Sequence, residues 1–196
     1  HRKVLKVVIR AAEDMVRGEI EEEAAAFRHS LPVSGYLEII RLKTAELMAA
    51  SCEAGATLAG APPAVRRSLR KYGLEFGMGF QMTDDALDFS AEERKVGKPV
   101  GSDLGEGRFT YPLLSLIGKL RGGDRRRLLS MLNKSALSNG GAGKVVDMVR
   151  NSGYVPGTLE LADRRFVSAS HSLRGVPAAA ARPLARMAGY ASRRES

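Results

Sequence analysis

Apolar residues recur at three- and four-residue spacing along nearly the whole chain, and the strict alternation of a half-buried strand is almost absent. That pattern predicts helices. The first spans about Arg2 to Phe27, with Val4, Val7, Val8, Ala11, Ala12, Met15 and Val16 on one side and an acidic end, "GEIEEE". A break follows at "RHSLPVSG", and a second helix is expected from about Tyr36 to Gly60. Its later half is rich in small residues, which lets a neighbour approach closely. Pro62 and Pro63 punctuate, proline being suited to a first helical turn. A third helix is expected from about Ala64 to Phe89, with Gly73, Gly77 and Gly79 inside it. Each glycine costs roughly 1 kcal/mol against alanine in a helix interior, so these three point to close packing or to ligand access.

The next stretch, "SAEERKVGKPVGSDLGEGRFTYP", carries four glycines and reads as a loop. Loops of that length inside a compact domain are usually functional or disordered. Shorter helices are expected at about Tyr111–Leu120, Asp124–Leu137, Gly143–Ser152, Thr158–Leu173 and Ala178–Ala191. With no repeat and no low-complexity segment, residues 1–196 read as one all-α domain.

Composition narrows this only a little. A chain of 196 residues can bury a sizeable core. Its single cysteine, Cys52, excludes an internal disulfide, fits a reducing compartment, and is expected to be buried and inert. No apolar run is long enough to cross a bilayer. The net charge of +9 suits an anionic partner: phosphates, nucleic acid or an acidic membrane face. Aromatics at 6 % and no tryptophan leave few platforms for stacking bases, so nucleic acid is not expected as the partner. The arginines scattered from Arg164 to Arg194 read as a solvated basic face. His1, His29 and His171 share no metal-ligand spacing.

Candidate chemistry sits in "GMGFQMTDDALDF", Gly77 to Phe89. On a helix, Asp84 and Asp88 stack one turn apart with Asp85 beside them. Three carboxylates among Met78, Phe80, Met82, Leu87 and Phe89 repel one another and need cations. One reading is a helix-end acidic cluster neutralised by solvent or by nearby Lys and Arg. The other is a site for a hard divalent metal, which takes oxygen ligands; magnesium uses one or two carboxylates and shares substrate phosphates. Gln81 lies one turn before Asp85, Lys98 and Arg108 follow in the glycine-rich loop, and Lys43 and Thr44 lie in "IIRLKTAELM". Carboxylates for a metal, together with lysine, arginine, threonine and glutamine donors, suit a metal–diphosphate.

With these residues in view, the chain resembles the trans-type isoprenyl diphosphate synthases, also called polyprenyl synthetases. The matching pieces are "EDMVRGEIEEE", "YLEIIRLKTAELMAASCEAGATLAGA", "YGLEFGMGFQMTDDALDF" and "VGKPVGSDLGEGRFTYPLL", in the family's order. The resemblance is strongest over about Arg2 to Leu114; "SGYVPGTLELADRRF" and "LARMAGYASRR" are similar to the family's closing helices. It implies an all-α, single-layered helical bundle of the isoprenoid synthase type, entered partway through with its N-terminal helices missing. It implies magnesium held by Asp84, Asp85 and Asp88, the second aspartate-rich motif. It implies catalytic roles for Lys43, Thr44 and Gln81. Substrate contacts are implied for Lys43, Thr44, Phe80, Gln81, Lys98 and Arg108. Arg108 stands where the family usually has lysine, a planar fork in place of a compact ammonium. Glu22 stands where many long-chain members have glutamine.

The activity so implied is a prenyltransferase that condenses an allylic diphosphate with isopentenyl diphosphate to a longer trans-polyprenyl diphosphate. The resemblance implies a first such motif as well, and no other D-D-x-x-D run occurs in this sequence. The expectation is therefore a portion of a longer synthase. The alternative is a non-catalytic helical subunit that dimerises with a full synthase and modulates it. A homodimer, a cytoplasmic location and at most transient membrane contact through the product complete the expectations.

Overall fold

The computed structural model describes residues 2–90 and 101–193, and every element among them is helical. Helix α1 is Arg2–Ala25. Helix α2, Val33–Ile40, passes through a π-helical turn, Arg41–Ala45, directly into α3, Glu46–Leu58. The long α4 is Pro63–Ser90. A single turn, α5, follows at Ser102–Gly105, then α6 at Tyr111–Lys119 and α7 at Gly122–Met131. The short α8, Lys134–Ala136, leads through a second π turn, Leu137–Gly141, into α9, Ala142–Arg150. Helices α10, Tyr154–Ser172, and α11, Ala178–Ala191, complete the order. No helix among the described residues is long and apolar enough to cross a membrane.

Three local departures from the periodicity have physical causes. The expected helix Asp124–Leu137 is broken because Asn133 caps a new turn, its side chain accepting from the Ala136 amide at 2.8 Å. Within the expected loop, Gly101 at φ +74° turns the chain into α5, a backbone region that favours glycine. The apolar residues of α1 divide: Ala11 is buried with Gly18 and Val4 and Val7 are half-buried, whereas Val8, Met15 and Val16 are exposed. Gly18 is the contact point, where an added Cβ would lie 2.6 Å from the Lys43 amide nitrogen.

Two compact units are built from these elements. The first comprises His1–Glu21, Glu38–Gln81 and Leu161–Glu195. Its core holds Leu42, Ala45 and Ala49 together with Tyr72, Phe166 and Ala188. The glycines of α4 are explained here. A Cβ on Gly73 would meet the Met48 carbonyl at 2.5 Å, and one on Gly77 would meet Ala45 Cα at 2.6 Å. Gly79 lies against the Ala162 carbonyl and the Phe166 ring. Of the two uses the sequence left open, close packing is the one observed. An apolar cavity of about 500 Å³ also belongs to this unit, lined in part by half-buried Cys52, Ala56, Leu69 and Val176. Burial raises the Cys52 thiol above its ordinary value.

The second unit comprises Glu22–Leu37 and Met82–Glu160. Phe89, Leu104, Leu113, Leu128, Val145 and Val149 form its core. The end of α4 is tied down twice: the Gly101 amide donates to the Asp88 carbonyl at 3.1 Å, and Arg150 Nε donates to the Phe89 carbonyl at 2.5 Å.

Candidate functional site

In the first unit, Lys43 and Thr44 sit on the π turn, in the middle of an otherwise α-helical run. Such turns place one extra residue in the helix and recur at functional sites. Here the Glu46 amide donates to the Arg41 carbonyl, closing the wide ring. Lys43 and Thr44 are both half-buried, whereas Leu42 before them and Ala45 after them are fully inside. Thr44 Oγ1 donates to Gln81 Oε1 at 2.9 Å, so two expected residues thirty-seven positions apart meet directly. Lys43 Nζ lies 3.0 Å from Glu19 of α1. Phe80 is half-buried and stacks on Phe76 with ring centroids 6.4 Å apart; Phe76 in turn stacks on Tyr72. Phe80 therefore ends an aromatic ladder at i, i+4 spacing, while Met78 beside it is core.

In the second unit, α4 carries all three aspartates in unbroken helix. Asp85 is buried, and Tyr36 donates its hydroxyl to Asp85 Oδ2 at 2.6 Å. Burial, then the charge and hydrogen bond of Asp85, hold the Tyr36 phenol well above its ordinary value. The Tyr111 ring meets Tyr36 edge-on at 6.1 Å. Asp88, near the end of α4, is half-buried against the start of α5. Its Oδ1 accepts from the Ser102 amide and hydroxyl at 3.2 and 3.0 Å, and its Oδ2 from the Asp103 amide at 3.3 Å. Burial and the neighbouring Asp103 charge raise the Asp88 carboxyl above its ordinary value, against the pull of those hydrogen bonds. Asp84 is half-buried one turn before Asp88.

Arg108 donates through Nε and Nη2 to Asp103 Oδ1 at 3.0 and 2.7 Å, and it also pairs with Glu106. Burial alone would lower its pKa; the bonds and charges of Asp103, with Glu106 and Glu22, outweigh that and raise it. Lys98 lies outside the described residues. Among those described, no group of three His, Cys, Asp or Glu side chains is placed to hold a metal ion by itself.

Tyr36, Ser102 and Asp103 are the participants that sequence reasoning missed. Ser102 and Asp103 carried a signal, since a Ser-Asp pair after glycine marks a helix start. Tyr36 carried none, because its partner is forty-nine residues away.

Solved structures of the same fold are known. Superposed on heptaprenyl diphosphate synthase from Staphylococcus aureus, the chain gives a TM-score of 0.92 at 26 % identity, with 100 % of this chain and 61 % of the other covered. The polyprenyl synthase from Caulobacter crescentus CB15, complexed with calcium and isoprenyl diphosphate, gives 0.90 at 33 % identity, covering 100 % and 60 %. The fold is thus that of the all-α isoprenyl synthases. In sequence, component 2 of heptaprenyl diphosphate synthase from Geobacillus stearothermophilus is 36 % identical over 196 residues, 100 % of this chain and 59 % of the relative. The chain spans about three fifths of the length of these relatives. The family model described as Polyprenyl synthetase matches residues 1–149, and the chain belongs to that prenyltransferase family, the trans-isoprenyl diphosphate synthases.

Proposed function

We propose that the chain contributes a diphosphate site to a magnesium-dependent prenyltransferase, which joins an allylic diphosphate to isopentenyl diphosphate and releases a longer trans-polyprenyl diphosphate. The observation that carries this reading is the family match over residues 1–149, which contains every candidate residue from Lys43 to Arg108. The Caulobacter relative, complexed with calcium and isoprenyl diphosphate, is consistent with it.

The donor chemistry of Asp84, Asp85 and Asp88 suits magnesium: carboxylate oxygens only, with no histidine or cysteine among them. Magnesium takes one or two carboxylates and completes its shell with water and phosphate oxygens. When bound, it neutralises charge on a diphosphate. The side chains supply the rest. Tyr36 fixes the Asp85 carboxylate by donating to it. The Lys43 ammonium and Thr44 hydroxyl donate to the departing diphosphate, and Gln81 holds the Thr44 hydroxyl until then. Lys98 and the Arg108 fork take up remaining negative charge, and Phe80 lends an aromatic wall. The allylic C–O bond breaks, the double bond of isopentenyl diphosphate attacks the resulting cation, and a proton is lost. No protein nucleophile is needed; electrostatic stabilisation of the leaving group does the chemistry.

The same reading takes the working form to be a homodimer in the cytoplasm. Support for self-association comes from α1. Leu5, Val8, Ile9, Met15, Val16 and Ile20 are exposed, from 37 % at Met15 to 64 % at Ile20. The first half of α1 carries Arg2, Lys3, Lys6 and Arg10 against Glu13; the second carries Asp14, Glu19, Glu21, Glu22 and Glu23 against Arg17. Antiparallel pairing of two copies sets basic against acidic ends, the self-complementarity a twofold interface requires. One observation favours a second reading, a non-catalytic subunit working with a different chain: relatives from Geobacillus stearothermophilus and Bacillus subtilis are named as component 2 of their synthases.

Prenyl transfer from radiolabelled isopentenyl diphosphate to an allylic primer, with magnesium, tests the reading. Turnover that disappears in Asp84→Ala supports it. Turnover that appears only when a different synthase chain is added, and that is indifferent to Asp84→Ala, supports the second.

A further inference from the structure

The π turn that presents Lys43 and Thr44 is held by charges that neither residue supplies. Arg41, its first residue, grips Glu38 with two bonds, Nε to Oε2 at 2.8 Å and Nη2 to Oε1 at 2.7 Å. Its remaining nitrogen pairs with Glu46 Oε1. Arg41 and Glu46 are also the two ends of the π hydrogen bond, so side chains and backbone close the same turn. The other oxygen of Glu46 accepts from Arg70 Nη2 of α4 at 2.6 Å, and Arg70 reaches Glu53 at 3.5 Å. Glu46 is only 6 % exposed. A carboxylate this deep, with one guanidinium on each oxygen, is costly to break because a lone partner would leave charge stranded. On the other side, α1 presses directly on the Lys43 backbone at Gly18.

An ordinary helix needs none of this. A π turn gives poorer packing than α-helix and persists where its surroundings over-determine it. Without the extra residue, everything after it would rotate by about 100° relative to α2. Lys43 and Thr44 would then leave the side on which Thr44 meets Gln81.

We propose that Glu46 is a positioning residue: bridging Arg41 and Arg70, it locks the π turn and so sets Lys43 and Thr44 for a diphosphate. The inference rests on the reading of Lys43 and Thr44 as diphosphate ligands. Its test is the affinity of the chain for inorganic diphosphate in magnesium, by titration calorimetry, with hydrogen exchange across residues 41–46. Four variants are compared: Glu46→Gln, Arg41→Lys, Lys43→Ala, and Leu69→Ala as a destabilised control in the same unit. Glu46→Gln is expected to speed exchange in the turn and weaken diphosphate by about tenfold, as for coupled members of one network. Arg41→Lys, which keeps charge but loses the fork, is expected to do the same to a lesser degree even if Glu46→Gln fails to fold. The Leu69→Ala control should leave affinity unchanged. Unchanged affinity in Glu46→Gln and Arg41→Lys, with loss in Lys43→Ala, overturns the positioning role alone. Unchanged affinity in Lys43→Ala overturns the ligand reading and the proposal with it. Equal loss in Leu69→Ala overturns the proposal by making the effect one of general stability.

Discussion

Tyr36 donates its hydroxyl to the buried carboxylate of Asp85 at 2.6 Å, across forty-nine residues of sequence. The bond solves a problem visible in the sequence, where a carboxylate is set among apolar neighbours. A buried charge needs hydrogen bonds or an opposite charge, and a phenol supplies the former while leaving the charge in place.

Tyr36→Phe removes that donor with little change of shape. Bonds to charged groups contribute about 1.5–3 kcal/mol, and the variant is expected to lose that much by urea unfolding near neutral pH. The folded Tyr36 phenol ionises above its ordinary value of 10.0. Once the pH exceeds that value the unfolded chain releases the proton first, so the stability this group contributes declines as pH rises. The gap between parent and variant should therefore narrow in alkali. A gap below 0.5 kcal/mol at neutral pH, on the order of ordinary surface substitutions, would show that the bond contributes nothing.

Asp88 gives a pH signature of its own. Its carboxyl is raised above the ordinary value of 3.8, so the folded chain keeps the proton to a higher pH than the unfolded chain does. The unfolded state binds fewer protons in that window, and stability falls as pH rises through it. Asp88→Asn cannot titrate. In chelator-containing buffer, parent stability minus variant stability should decline upward from pH 3.8 and then level off. A difference that rises over the same range would contradict the burial argument.

The glycines of α3 and α4 give a paired contrast. In Gly77→Ala the new methyl meets Ala45 Cα at 2.6 Å, and backbone must move. Overpacking costs about 1–3 kcal/mol, and the gain in helix propensity offsets only part of it. Gly55 on α3 has nothing within 4 Å of such a methyl. Gly55→Ala should therefore stabilise by about 0.5–1 kcal/mol. Thermal unfolding of both variants decides the matter; equal shifts would mean the close approach at Gly77 is not a constraint.

How much of this was legible depended on distance along the chain. The helices were, because i, i+4 periodicity is local; α4 and α11 lie almost where the apolar pattern placed them. Gly73 and Gly77 announced themselves as unusual, and the structure supplied their neighbours. Lys43, Thr44, Gln81 and the three aspartates were recognisable by motif, yet the Thr44–Gln81 bond needed coordinates. What the sequence hid was non-local or contrary to habit. Tyr36 has no local mark. The π turn is invisible because Arg41–Ala45 fits an α-helical pattern equally well. Which of the apolar residues of α1 face inward was not legible, because periodicity finds an apolar side without saying what covers it; Val4, Val7 and Ala11 turn in while Val8 and Val16 stay exposed. Gly18, flanked by charge, was the better guide to the buried side.

The exposed apolar residues of α1 carry the last prediction. Leu5, Ile9, Val16 and Ile20 repeat at spacings of four and seven, a continuous stripe on one helix. Exposed stripes of this kind mark an interaction surface, and burying each large side chain fully is worth about 1.5–3 kcal/mol. If two copies pair antiparallel through α1, the chain should show twice its 21.1 kDa mass by light scattering at micromolar concentration. Ile9→Glu with Val16→Glu should return it to the mass of one chain with its helical signal unchanged. Because Arg2, Lys3, Lys6 and Arg10 oppose acidic residues in that pairing, Lys6→Glu with Arg10→Glu should weaken association, and more so at low salt than at high. A parent that stays at the mass of one chain would reject self-pairing. Added to a different synthase chain, it would then be expected to bind through the same stripe, and Val16→Glu would distinguish that outcome from no association at all.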